Sequence, residues 1–95
     1  ALGSYDALTQ LAGVDAVYIA TPHVQHRDAT LLCLNAGLPV LCEKPFGMDA
    51  TEVAEMVAVA RQRSVFLMEA LWSRFMPSIQ KAHELVKSGA IGKVR

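Results

Sequence analysis

The chain has 95 residues, 53% of them hydrophobic, a composition that can form a modest core and excludes a disordered tail. Nine Lys and Arg balance nine Asp and Glu, so no net field recruits nucleic acid or an acidic membrane surface, and no apolar run approaches the roughly 20 residues of a membrane-spanning helix. Cys33 and Cys42 sit in apolar surroundings without Cys-x-x-Cys spacing, which predicts buried reduced thiols in a cytoplasmic setting, and neither a disulfide frame nor a zinc site.

Ser4 is placed to cap a first helix whose apolar positions Leu8, Leu11 and Ala12 lead to a stop at Gly13. Val14 to Thr21 is rich in β-branched and aromatic residues and is bounded by Pro22, which predicts a strand ending in Thr21-Pro22-His23. From about Gln25 to Ala36 the residues Ala29, Leu32, Cys33 and Ala36 recur at helical spacing, and Gly37 and Pro39 end the helix. Pro39 to Cys42 carries no polar alternation, as expected of a strand buried on both faces of a parallel sheet. Strand, crossover helix and strand form a βαβ unit, so His23 and Lys44 share one edge of the sheet.

Asp49 caps the next helix, Glu52 is placed to reach back in a capping box, and Val53, Met56, Val57 and Ala60 form its buried stripe. Arg61 and Arg63 in its last turn complement the helix dipole, and Val65 to Ala70 reads as a third strand. Pro77 is a favourable first residue for a last helix, with Ile79, Ala82, Leu85 and Val86 as its apolar stripe up to Gly89. Met56, Met68 and Met76 read as core gap-fillers. There is no internal repeat or low-complexity tract, and the alternation of helix and strand indicates α/β layers.

The chemistry gathers at the strand ends. Glu43 and Lys44 stop a buried strand against Pro45, and in open α/β sheets ligands bind outside the carboxyl ends of the strands. Pro45 restricts the backbone of Lys44 to extended or turn conformations. His23 and His26 have the spacing of two ligands on one helical turn, but no Asp, Glu or Cys stands at supporting metal spacing, so no metal is expected. For His26, a hydrogen-bonding role at the helix N-terminus and contact with a cofactor weigh about equally. Trp72 and Phe75 read either as core aromatics or as an aromatic wall for a ring-bearing substrate. Arg74 has Glu69 and Glu43 as alternative partners.

Asn35-Ala36-Gly37-Leu38-Pro39-Val40-Leu41-Cys42-Glu43-Lys44-Pro45 resembles the Ala-Gly-x-x-Val-x-x-Glu-Lys-Pro signature of the glucose-fructose oxidoreductase, inositol dehydrogenase and rhizopine-catabolism family. Val14 to His23 is similar to that family's fourth Rossmann strand, and Met68 to Pro77 is similar to a branch acting on dihydrodiols and D-xylose. The resemblance covers essentially the whole chain. It implies the C-terminal half of a Rossmann dinucleotide-binding domain, with parallel strands and covering helices, over residues 1–89. Residues 90–95 then begin an α+β substrate and dimerisation domain. The chain is accordingly expected to be an internal fragment, without the glycine-rich phosphate turn and without the family's tyrosine or histidine acid/base.

What the resemblance implies for the site is a cofactor contact set of Ala20, Thr21, Pro22, His23, His26, Glu43, Lys44 and Pro45. Lys44 is the catalytic candidate and Trp72, Arg74 and Phe75 the substrate-binding candidates. Lys44 would donate to the nicotinamide ribose and substrate hydroxyl and stabilise alkoxide character as hydride leaves; a base role would require burial. Glu43 reads equally as the counter-ion of Lys44 or as a ribose contact. The implied activity is hydride transfer between a trans-dihydrodiol, pentose or polyol hydroxyl and NADP, with NAD left open, by a full-length homodimer. Residues 1–95 alone are expected to be inactive. The alternative is a non-catalytic nucleotide-sensing or partner-binding module on the same fold.

Overall fold

The computed structural model describes residues 3–94. Ala1, Leu2 and Arg95, which belong to the expected spans 1–89 and 90–95, lie outside the described residues. The order of elements is α1 (Tyr5–Thr9), β1 (Val17–Ile19), α2 (His26–Asn35), β2 (Val40–Cys42), α3 (Ala50–Arg63), β3 (Leu67–Glu69) and α4 (Pro77–Lys87). Short 3-10 turns at His23–Gln25 and Trp72–Phe75 lead into α2 and α4.

The three strands form one parallel sheet in the order β1-β2-β3, with Val17 opposite Val40 and Val40 opposite Leu67. Parallel neighbours need crossovers, and α2 and α3 supply them. The strands are shorter than the expected Val14–Thr21 and Val65–Ala70 because β2 limits both flanking ladders. Pro39 has no N–H to offer before it, and the chain turns after Glu43. Single bonds extend the pairing at each end, from Val17 N–H to the Pro39 carbonyl at 2.8 Å and from Glu43 N–H to the Ile19 carbonyl at 2.9 Å.

Alternation along the strands sends Val17, Ile19, Val40, Cys42 and Leu67 to the face covered by α2, where they pack with Cys33, Leu34 and Ala60. On α2 the fully enclosed residues are His26, Thr30, Cys33 and Leu34, whereas Ala29 and Leu32 are half-buried and Ala36 is exposed. The expected stripe is thus displaced, because α2 packs on α3 as well as on the sheet and buries the arc between them. Of the α3 stripe, Met56 and Ala60 are buried and Val53 and Val57 half-buried. The thiols of Cys33 and Cys42 are free and buried, and desolvation pushes both up from the ordinary thiol value.

The helix ends follow the expected chemistry with two shifts. Ser4 Oγ accepts from Ala7 N–H at 3.2 Å, and Asp49 Oδ1 accepts from Thr51 and Glu52 N–H at 2.8 and 2.9 Å. Glu52 reaches back to Met48 N–H at 2.8 Å rather than to the capping residue itself. Helix α2 closes in a Schellman turn, with Leu38 N–H bonding the Cys33 carbonyl at 3.0 Å and Gly37 at φ +78°. Helix α1 ends well before Gly13, leaving Leu11 and Ala12 exposed.

Helix α4 begins at Pro77 as expected, but Ile79, Leu85 and Val86 are exposed, as is Met76. It packs mainly on the preceding 3-10 turn and projects away from the sheet. The radius of gyration is therefore 16.8 Å, against about 12 Å for a compact chain of this length. Only Met56 of the three expected gap-fillers is fully buried, Met68 being half-buried.

Leu34 is wholly enclosed between α2, α3 and the sheet, so Leu34→Ala is expected to cost about 2–5 kcal/mol in urea unfolding. Leu11→Ala, in the exposed segment after α1, should stay within about 0.5 kcal/mol.

Candidate functional site

At the carboxyl ends of the strands the chain leaves the sheet three times, after Ile19, Cys42 and Glu69, and the departing segments enclose a cavity of about 350 Å³. Ala20, Thr21, His23, His26, Glu43, Lys44 and Trp72 line it. A larger cavity of about 960 Å³ lies between α1 and the outer side of α2, but its lining is dominated by apolar side chains such as Tyr5, Leu8, Ala29 and Leu32. Charged and hydrogen-bonding groups from the ends of β1 and β2 converge on the smaller one, at the edge where ligands of such sheets bind, so that is the candidate site.

His26 organises its floor. The ring is fully buried, with Nδ1 2.8 Å from the Pro45 carbonyl oxygen and Nε2 3.0 Å from the Thr21 carbonyl oxygen. Each ring nitrogen thus faces a main-chain carbonyl oxygen at hydrogen-bonding distance. His26 therefore links the end of β1 to the turn after β2 and keeps no nitrogen free for a ligand. Of the two readings open from the sequence, the geometry fits the hydrogen-bonding one. His23 stands exposed beside it, with ring centroids 5.5 Å apart at 65°. Among the described residues no group of three His, Cys, Asp or Glu is placed to hold a metal ion.

The turn after β2 is held at several points. Glu43 alternates with Cys42 and so faces the same side of the sheet as Tyr18, whose hydroxyl donates to Glu43 Oε1. Glu43 Oε2 accepts from Lys44 N–H at 2.9 Å. The Tyr18 hydroxyl first, and then the Lys44 N–H, hold the Glu43 carboxyl below its ordinary value, and the same bond raises the Tyr18 phenol. The Lys44-Pro45 peptide bond is cis. Beyond it, Glu69 Oε1 at the end of β3 accepts from Phe46 N–H at 3.0 Å.

Lys44 itself is exposed at the cavity rim, so the burial on which a base role rested is absent. Among the described residues the ion pairs are Arg27 with Asp28 and Glu55, and Lys81 with Glu84. Glu43 is held by Tyr18 and forms no direct ion pair with Lys44, whose charge still helps to lower it, and Arg74 pairs with neither of its two expected partners. Arg74 turns toward α4, beside Ile79, His83 and Glu84, and Phe75 is exposed away from the cavity lining. Trp72 reaches the cavity rim and is 60% exposed. Pro22 and Pro45 shape the backbone at the site without lining it.

Two residues with a part in the geometry escaped the sequence reading. Tyr18 was legible in principle, since strand alternation places it on the face of Glu43. Glu69 is named from the sequence only as an alternative partner of Arg74, and its actual partner is a main-chain N–H, which leaves no sequence signal.

The site suits the nicotinamide riboside end of a dinucleotide. Glu43 presents a carboxylate for hydroxyl groups, Lys44 an unpaired ammonium, and Thr21 a buried hydroxyl without a partner among the described residues. These 95 residues contain no glycine-rich phosphate turn, so they do not fit the pyrophosphate end.

The chain is similar to known oxidoreductases. Residues 1–71 match the model of the GFO_IDH_MocA oxidoreductase family, described as having an NAD-binding Rossmann fold. Over all 95 residues the chain is 55% identical to trans-1,2-dihydrobenzene-1,2-diol dehydrogenase of Mus musculus and 50% identical to that of Homo sapiens, and it spans 28% of the length of each. Among solved structures, myo-inositol 2-dehydrogenase from Lactobacillus plantarum superposes with a TM-score of 0.87 at 33% identity, over 98% of this chain and 28% of that one. A 3-ketoreductase from Actinomadura kijaniata, in complex with TDP-benzene and NADP, superposes with a TM-score of 0.85 at 36% identity, over 97% and 29%.

Because the Tyr18 hydroxyl is the main cause of the low Glu43 value, Tyr18→Phe is expected to move that carboxyl back up toward the ordinary range, read by carbon NMR titration of labelled Glu43. With Tyr18 present, the stabilisation linked to this charge is complete above the unfolded glutamate value of about 4.3 and is lost as pH falls through the lower folded value. Tyr18→Phe should shift that loss to higher pH, and an unchanged titration would mean that the hydroxyl does not hold the carboxylate.

Proposed function

This chain belongs to the GFO_IDH_MocA oxidoreductase family, with its NAD-binding Rossmann fold, and from that we propose that it forms the nicotinamide end of the cofactor site in a longer dehydrogenase. The reaction is hydride transfer between a carbinol carbon of a trans-dihydrodiol, pentose or polyol and NADP. The convergence of Glu43, Lys44, Thr21 and Trp72 on one cavity at the strand ends carries this reading. The choice of a diol substrate is supported by the 55% identity to the mouse dihydrodiol dehydrogenase, and NADP by its presence in the superposed ketoreductase complex.

When bound, the nicotinamide ring supplies the hydride acceptor. The residues of this chain bind and orient. Glu43, fixed by Tyr18 and by its own turn, accepts from ribose hydroxyls, and its low titration keeps it an acceptor at neutral pH. The Lys44 ammonium donates to the substrate hydroxyl oxygen and stabilises the negative charge that grows there as the carbon loses hydride. Its exposed position suits a group that meets substrate at the mouth of the site. Trp72 offers a flat apolar wall at the rim, and Arg74 and Phe75 would join it only after the 3-10 turn moved toward the cavity.

The division into residues 1–89 and the beginning of a second domain at 90–95, the homodimer of the full-length protein, and the acid/base residue outside these 95 belong to the same proposal. They rest on the family resemblance. A cytoplasmic setting is supported by the two free buried thiols.

In the full-length protein, Lys44→Met is expected to lower diol oxidation with NADP by about 10²–10³-fold in kcat while NADP affinity changes little. Near-normal turnover would remove Lys44 from the mechanism. Residues 1–95 expressed alone should show no NADP-dependent diol oxidation, because they supply neither a phosphate turn nor the acid/base, and measurable activity would overturn that division of labour.

A further inference from the structure

Lys44 carries its ammonium on a flexible stem from an exposed position, so the placement of that charge depends on the backbone from which the stem departs. The backbone is tied on two sides. On the α2 side His26 bonds the Pro45 carbonyl, and on the β3 side Glu69 bonds the Phe46 N–H, at 2.8 and 3.0 Å. Both ties grip the same peptide unit, the one that joins Pro45 to Phe46, one residue beyond Lys44. Glu69 reaches them because it pairs with Cys42 across the sheet, which puts its carboxylate directly over the turn that follows β2. Its own strand is fixed there by the bond from Ala70 N–H to the Cys42 carbonyl at 2.7 Å.

The geometry points to Glu69 as a positioning residue, acting through the Phe46 N–H to set where the Lys44 ammonium stands relative to substrate. This rests on the role proposed above for Lys44. Glu69 does not line the cavity formed by Ala20, Thr21, Glu43, Lys44 and Trp72, so it works without touching the reacting atoms. What the bond requires is an acceptor oxygen at this reach, not a negative charge, and that separates it from an electrostatic role.

The test is a double-mutant cycle in the full-length protein, with kcat, KM and NADP affinity measured for diol oxidation. Glu69→Ala is expected to lower kcat by about 10²-fold with NADP affinity little changed, as follows from displacing an aligned group by about 1 Å. Glu69→Gln keeps the acceptor oxygen and should recover most of the rate. In a Lys44→Met background, Glu69→Ala should cost little more. Should the alanine variant not fold, Glu69→Asp withdraws the acceptor by one methylene while keeping the charge, and the same cycle is run with it. A merely structural role would lower the rate equally with and without Lys44, and that additive result overturns the proposal. So does a Gln variant as slow as the Ala variant, or an Ala variant as fast as the parent. A Lys44→Met protein of normal turnover sinks the role of Lys44 itself and this inference with it, whereas an impaired Lys44→Met with additive Glu69 effects sinks this inference alone.

Discussion

One buried imidazole holds the candidate site together. His26 sits at the first position of α2, with no exposed surface, and spans the Thr21 and Pro45 carbonyls at 3.0 and 2.8 Å. Through these two contacts one side chain ties the loop after β1 to the turn after β2, and both depend on it. The β1 loop and the β2 turn come from crossover-linked strands, and only the ring at the start of the crossover helix touches both. Helix packing, strand ends and site geometry are therefore fixed by the same side chain.

Around that anchor the charged groups divide into held and free. Glu43 is held by Tyr18 and by the Lys44 N–H, and Glu69 is occupied by the Phe46 N–H. Lys44 keeps its ammonium unpaired among the described residues at the rim of the cavity. Carboxylates engaged as acceptors toward the backbone make the turn stiff without neutralising the lysine. This arrangement suits a site that must present positive charge to an oxygen that becomes negative during reaction.

The apolar stripe of α4 follows a different logic. Its spacing satisfies the rule for a helix that buries one face, yet Ile79, Leu85 and Val86 stay exposed because the helix projects beyond the sheet. Periodicity states that a face is apolar; it does not state what lies against it. The same holds for Trp72 and Phe75, which the sequence marks as a pair and the 3-10 turn separates, one to the rim and one to solvent.

The sequence by itself determined the three strands, their crossover helices, the caps at Ser4 and Asp49, and the gathering of Thr21, His23, Glu43 and Lys44 at one edge. Each follows from local rules: turn residues, hydrophobic period, and the requirement that parallel strands end on the same side. The family signature around Glu43-Lys44-Pro45 is what the proposed chemistry rests on. Only the tertiary structure decided that His26 faces inward to two carbonyls, that Tyr18 and Glu69 hold the turn, and that Arg74 leaves the site. The physical reason is that these outcomes depend on main-chain N–H and C=O groups and on distances between separate elements. Every residue carries such groups, so they leave no mark in composition or spacing until the strands are brought side by side.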